Sequence, residues 1–316
     1  MVVTFVRAAR RIPILRRLVA QAFLLLAAAQ LGGCEAHRLS QAQDAFSQGA
    51  QQENRLAALD GVAMTDYSPA FTYYQRADAI LVKDLADKKS ELTSDNLLAT
   101  GYALQAMTLW RLVDLSTIVP AAQIEGERRE GPSDGSDPAS TSDRYRQRAR
   151  AARQEAQKLK AQLGPRDVFM MTVLPNLMDH DTGLQYLGKS DPKRAHDFFK
   201  SAFAGVETAL NDTSTVPPNH DVRVYARLVE VQILTAWYSA FNDGFGGSAG
   251  ELTKARACQN KWILPSLRAA RDDVDKLNPR AKATSSQFFA VRLERLGLNA
   301  EMPNHDGVGG VTCPWQ

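Results

Sequence analysis

Histidines, cysteines, acids and clustered glycines are the residues of this chain with the types to do chemistry. The histidines are His37, His180, His196, His220 and His305. None sits in an HExxH pattern or in the Cys/His spacing of a zinc site. The tightest constellation is Asp179-His180-Asp181. Its types suit a metal or an acid–base pair. An enzyme of this kind requires Asp179, His180 and a third ligand to converge in one pocket. The expected place of the cluster, however, is the solvent-side edge of a helix pair, where it reads as ordinary surface charge. No GxSxG, GxxxxGK(S/T) or GxGxxG is set between a strand and a helix, the context in which each works. The glycine-rich run Gly244 to Gly250 follows a helical segment, so it reads as a helix stop and not a phosphate cradle. Tyr67, Phe71, Tyr73 and Tyr74 offer a sticky groove or simply helix core. Arg144, Arg146, Arg148, Arg150 and Arg153 read as a solvated basic face. No residue is assigned as catalytic or as a metal ligand, and no cofactor is expected.

The elements that carry these residues read as helices. Of 316 residues, 44% are hydrophobic and 23% charged, which is ordinary for a folded chain. Apolar residues recur at three and four through most of the sequence, with no sustained alternation of two. The expected class is all-α, either a solenoid of helical hairpins or an irregular bundle. Helices are expected near 36–58, after Tyr67-Ser68-Pro69 with Ser68 as cap, over 94–119, 143–163, 168–187, 192–210, 221–245, 252–277 and 281–296. Pro175 is expected to end or kink its helix. The helix at 221–245 is apolar nearly all round, with Arg223, Arg227 and Glu230 as its polar stripe, so it belongs at the centre. Residues 124–142 are rich in Gly, Ser, Pro and charge and read as a flexible loop. They separate an N-terminal helical part, 34–123, from a second, 143–302. An irregular tail, 303–316, closes the chain.

Residues 1–33 have the build of an export signal. Arg7, Arg10, Arg11, Arg16 and Arg17 precede an apolar run from Leu18 to Leu31 that is too short for a spanning helix. The formal charge of the whole chain is +3, and removing these five cations leaves −2. The basic character thus belongs to the signal, and the reading excludes nucleic acid as a partner. The run ends in Leu31-Gly32-Gly33-Cys34, which resembles the lipobox of bacterial lipoproteins. That resemblance implies cleavage before Cys34 and acylation of its sulfur, hence a membrane partner through the lipid. Glu35, where an aspartate marks inner-membrane retention in the best-known cases, implies the periplasmic face of the outer membrane. With Cys34 taken by lipid, Cys258 and Cys313 remain. In an oxidising compartment they read as a disulfide, or else as one buried and one frayed thiol.

A second resemblance covers about one helix pair. Gly183-x2-Tyr186-x8-Ala195-x3-Phe199-x2-Ala202 resembles the tetratricopeptide repeat, whose small residues let two helices approach and whose aromatics fill the gaps. Asp179, Thr182 and Glu207 depart from the pattern. Only half-matches occur elsewhere, at Ala42-x3-Phe46-x2-Gly49 and Ala70-x3-Tyr74-x2-Ala77. Together the features suggest a lipid-anchored interaction scaffold with a protein partner in the cell envelope. The alternative is a ligand-binding lipoprotein serving a transport system, with a pocket lined by Trp237, Tyr238 and Phe241.

Overall fold

The computed structural model describes residues 39–57, 64–116, 119, 138–244, 261, 263–283, 285 and 286. Among these residues the protein is all-α, with no strand. The principal helices are α1 (Ser40–Ala57), α2 (Ser68–Asp87), α3 (Lys89–Ser94), α4 (Leu98–Leu115), α5 (Pro138–Lys158), α6 (Pro165–Gly188), α7 (Pro192–Asn211), α8 (Asp221–Gly244) and α9 (Leu264–Asp275). The signal segment, Cys34, most of the 124–142 loop, Cys258, Cys313 and the 303–316 tail lie outside the described residues.

The helices fall into two compact units, and the division comes within α6, between Met171 and Thr172. In the first unit each long helix packs on its neighbours in the chain: α1 on α2, α2 on α4, and α4 on α5. In the second, α8 packs on both α7 and α9. Its residues Val222, Val224, Tyr225, Leu228, Val231, Leu234 and Trp237 are all buried, as its all-round apolar pattern requires. Its polar stripe is used rather than wasted. Arg223 Nε lies 3.3 Å from Asp273 on α9, and Arg227 Nη1 donates to Glu230 at 3.1 Å.

Several boundaries differ from the sequence reading. The expected helix at 94–119 is α4, which starts only at Leu98, and a short unexpected helix, α3, precedes it, the two parted at Asp95 to Leu97 with Asn96 at φ 56°. Asparagine tolerates that left-handed backbone better than most residues. Helix α2 begins at Ser68 itself, and Tyr67, at the cap position, makes no side-chain cap. Helix α5 starts at Pro138, five residues inside the expected loop. A proline there gives up an N–H that a first turn leaves unused anyway. Helix α7 starts as expected, with Pro192 in its first turn and the Asp191 carboxylate accepting from the Arg194 amide at 3.2 Å.

Pro175 does not end its helix, since α6 runs on through it to Gly188. Proline has no N–H, so the carbonyl four residues back loses its helical partner. That carbonyl belongs to Met171. It accepts instead from Arg153 Nε and, at 3.3 Å, from Gln157 Nε2, both on α5. Burial lowers the affinity of Arg153 for its proton, but the carbonyl dipole rewards its N–H. Replacing Arg153 by Ala should therefore cost about 1–3 kcal/mol of stability. In a Pro175→Ala background, where residue 175 supplies its own N–H, the same change should cost about 1 kcal/mol less. Urea denaturation of the four proteins measures this coupling, and strict additivity would refute it.

Asp167 stands in the first turn of α6 and is buried. Loss of water pushes its carboxyl up from 3.8 to about 6, against a smaller downward pull from Arg166. The native state thus holds the proton more tightly than the unfolded chain. This contribution is complete below pH 3.8 and disappears as pH rises through about 6. Asp167→Asn should stabilise the protein at pH 7 by up to about 3 kcal/mol. The gain should vanish towards pH 4. A gain that is constant from pH 4 to 8 would contradict the assignment.

Candidate functional site

The residues of the repeat-like pattern lie on α6 and α7. A Cβ added to Gly183 would stand 2.9–3.2 Å from three carbons of the Phe199 ring, so this glycine is what admits the ring. Ala195, Phe199 and Ala202 are fully buried. Tyr186 behaves differently. It is half-buried and stacks on Phe198, with ring centroids 5.4 Å apart and planes 10° from parallel. Lys189 and Arg194 sit over it at 5.6 and 5.5 Å. The structure thus brings Gly183 and Phe199 into contact and leaves Tyr186 at the rim.

A second close approach on the same pair was missed in the sequence. A Cβ on Gly205 would come within 2.0 Å of Asn176 Nδ2, whose amide donates to the Ser201 carbonyl at 3.2 Å. The available signal was a lone glycine inside a good helical pattern, which usually marks packing.

The acidic-histidine cluster is not the surface feature expected of it. His180 and Asp181 are buried, with Nδ1 of the ring 3.2 Å from Asp181 Oδ1. Nε2 of His180 has no hydrogen-bond partner, and the ring lies 5.7 Å from Phe199. Asp179 turns aside and accepts from the Ser201 hydroxyl at 2.7 Å. Successive helical residues point about 100° apart. Among the described residues no group of three or more His, Cys, Asp or Glu is placed to hold a metal.

The aromatic residues offered as a ligand pocket are committed to the core. Trp237 is 1% exposed, and its Nε1–H donates to His196 Nδ1 at 3.1 Å. Phe203 closes on it from 6.1 Å. Tyr238 packs half-buried on the same core, and the Phe241 side chain lies outside the described residues. Tyr67, Phe71 and Tyr74 are likewise core. The arginine stretch is only partly solvated. Arg144 and Arg150 are exposed, whereas Arg148 pairs with Asp78 on α2 at 2.7 Å and Arg153 binds the Met171 carbonyl.

The most concentrated chemistry lies where α1, α2 and α4 meet, and the sequence reading did not find it. Glu53, Tyr74, Arg111 and Asp114 are all buried. The Tyr74 hydroxyl donates to Glu53 Oε2 at 2.6 Å. Arg111 forks onto Glu53 through Nε, at 3.2 Å, and Nη2, and reaches Asp114 Oδ2 at 3.1 Å. Its guanidinium also lies 5.2 Å from the centre of the Trp110 ring. Burial, then the negative charge of Glu53, raises the Tyr74 hydroxyl well above its ordinary value. For Arg111 burial pulls downward, but Glu53 and Asp114 outweigh it and hold the cation. The Nη1 group of Arg111 makes no hydrogen bond. Gly49 makes room for the group, since a Cβ there would meet the Tyr74 ring at 3.0 Å. The sequence signal was faint: Arg111 and Asp114, three apart, inside an otherwise apolar helix.

In this arrangement the hydroxyl, the guanidinium and the two carboxylates bind one another. Its chemistry is that of a tie, a cation shared between carboxylates from two helices. No family model, no curated protein and no solved structure matches this chain. Removing the cation by Arg111→Met should cost about 3–5 kcal/mol, because two buried carboxylates lose their partner. Adding Glu53→Gln and Asp114→Asn should restore part of that loss, read as the urea midpoint. A triple variant no more stable than the single one would show that charge is not the cause.

Proposed function

We propose that this chain is a membrane-anchored periplasmic lipoprotein that acts as a helical interaction scaffold in the cell envelope. The observation that carries the reading is the order of residues 7–34. Five arginines, then a short apolar run, then Leu31-Gly32-Gly33-Cys34, are what export, cleavage and acylation at Cys34 require. Several acyl chains on one sulfur suffice for a stable anchor, since each buried methylene contributes ~0.8 kcal/mol. Glu35 favours the outer membrane as the destination. Cys258 and Cys313 would then share an oxidising compartment and close a disulfide.

The scaffold part of the reading draws support from the all-α fold, with helices packed on their chain neighbours, and from the Gly183–Phe199 approach in the repeat-like pair. Helical hairpins stacked in this way present side chains from successive units to a partner protein. The commitment of Trp237 to the core weighs against the small-ligand alternative.

The test is expression of the full chain and of its Cys34→Ser form in a Gram-negative host. The natural chain should sediment wholly with outer membranes and, after chemical cross-linking there, yield a discrete envelope-protein adduct. The serine form should lose both membrane sedimentation and most of the adduct. Unchanged membrane partition of the serine form, or no adduct from the natural chain, would contradict the proposal.

A further inference from the structure

An acyl group on Cys34, as proposed above, limits which surface of the protein can meet the bilayer. Only residues 35–38 stand between Cys34 and Leu39, the last residue before α1. Five Cα steps reach at most about 18 Å even when fully stretched. Helix α1 has 18 residues and is therefore about 27 Å long. The start of α1 is thus tethered close to the lipid, whereas the tether sets no such limit on its far end.

That near end is well defined. Leu39 is 4% exposed, and its methyls lie 3.7 and 3.8 Å from where a Cβ of Gly101 would stand. Leu85 meets the same point at 3.0 Å. The start of α1, the end of α2 and the start of α4 therefore come together, and α3 (Lys89–Ser94) is the turn of chain between the last two. Leu39 is fixed in this core, so the anchored end cannot swing away from the fold.

The flank of α1 does not suit lipid. Its apolar residues Ala42, Ala45, Phe46 and Ala50 are buried. Its exposed ones are Gln41, Asp44, Gln48, Gln51 and Arg55, which offer no apolar stripe to a bilayer. We propose that the end formed by Leu85 to Lys88, α3 and the start of α4 is the surface that faces the phospholipid headgroups. Its charges nearly balance, with Lys83, Lys88 and Lys89 against Asp84, Asp87, Glu91 and Asp95. Lys88 is moreover paired with Asp84 at 2.7 Å. The acyl chains and the short tether hold it there, and attraction to anionic lipid does not.

The test uses the acylated full mature chain, purified from its membrane and placed in phosphatidylcholine vesicles with spin-labelled headgroups. A fluorescent non-natural side chain replaces Ser90 on α3 or Arg55 near the far end of α1, both exposed. The probe at Ser90 should be quenched several-fold more than that at Arg55. High salt or anionic lipid should not change the ratio. A flexible Gly/Ser insert of 20 residues after Glu35, with a root-mean-square span of about 25 Å, should abolish the difference while leaving vesicle binding intact. Equal quenching at the two sites, or a difference that survives the insert, overturns the inference while the anchor stands. A mature chain without acyl groups overturns the anchor itself.

Discussion

The interaction that lets α6 pass a proline is the one made by the carbonyl of Met171. Pro175 removes its helical partner, and an unsatisfied carbonyl there is enough to bend or end a helix. Two side chains of α5, Arg153 and Gln157, take the place of the missing amide. Helix α6 consequently continues to Gly188 and carries Asn176, Asp179, His180, Gly183 and Tyr186 along one axis. The arginines of α5 thereby acquire a structural purpose that their spacing alone does not reveal.

Two kinds of specificity operate within each unit. One is close approach at small residues: Gly183 beneath Phe199, Gly205 beneath Asn176, Gly49 beneath Tyr74. The other is paired charge, fully buried at Arg111 and half-buried at Arg148 and Arg223. The cation of Arg111 ties α4 to Glu53 of α1, Arg148 ties α5 to Asp78 of α2, and Arg223 ties α8 to Asp273 of α9. Buried ion pairs of this sort add little net stability beside an apolar substitute, but they penalise any register in which a partner is missing. In a chain so rich in alanine faces, where many helix registers bury similar area, that penalty helps select one packing.

Much of the fold was legible because it depends on periodicity. The apolar spacing defined the all-α class and the central place of α8, and Asp191-Pro192 marked the start of α7. What periodicity cannot carry is the fate of a single polar atom. Nothing local says that Arg153 will find a carbonyl near Pro175, that His180 will be buried, or that Glu53 and Arg111, 58 residues apart, will meet. The break at Asn96 likewise turns on one left-handed residue in an otherwise helical run. Of the residues singled out for chemistry, Trp237 and Asp179-His180-Asp181 proved to be packing and hydrogen-bonding groups. The tie at Arg111 lay unread in a helix that looked merely apolar.

The functional account joins a helical body to a lipid, and everything in it turns on the chemistry of one sulfur. The direct measurement is the intact mass of the protein extracted from its native membrane, with sequencing of its first peptide. The account predicts a chain that begins at Cys34, lacks residues 1–33, and carries the added mass of a diacylglycerol and an amide-linked acyl group. A chain that keeps its first 33 residues, or one that starts elsewhere with an unmodified thiol at Cys34, would contradict it.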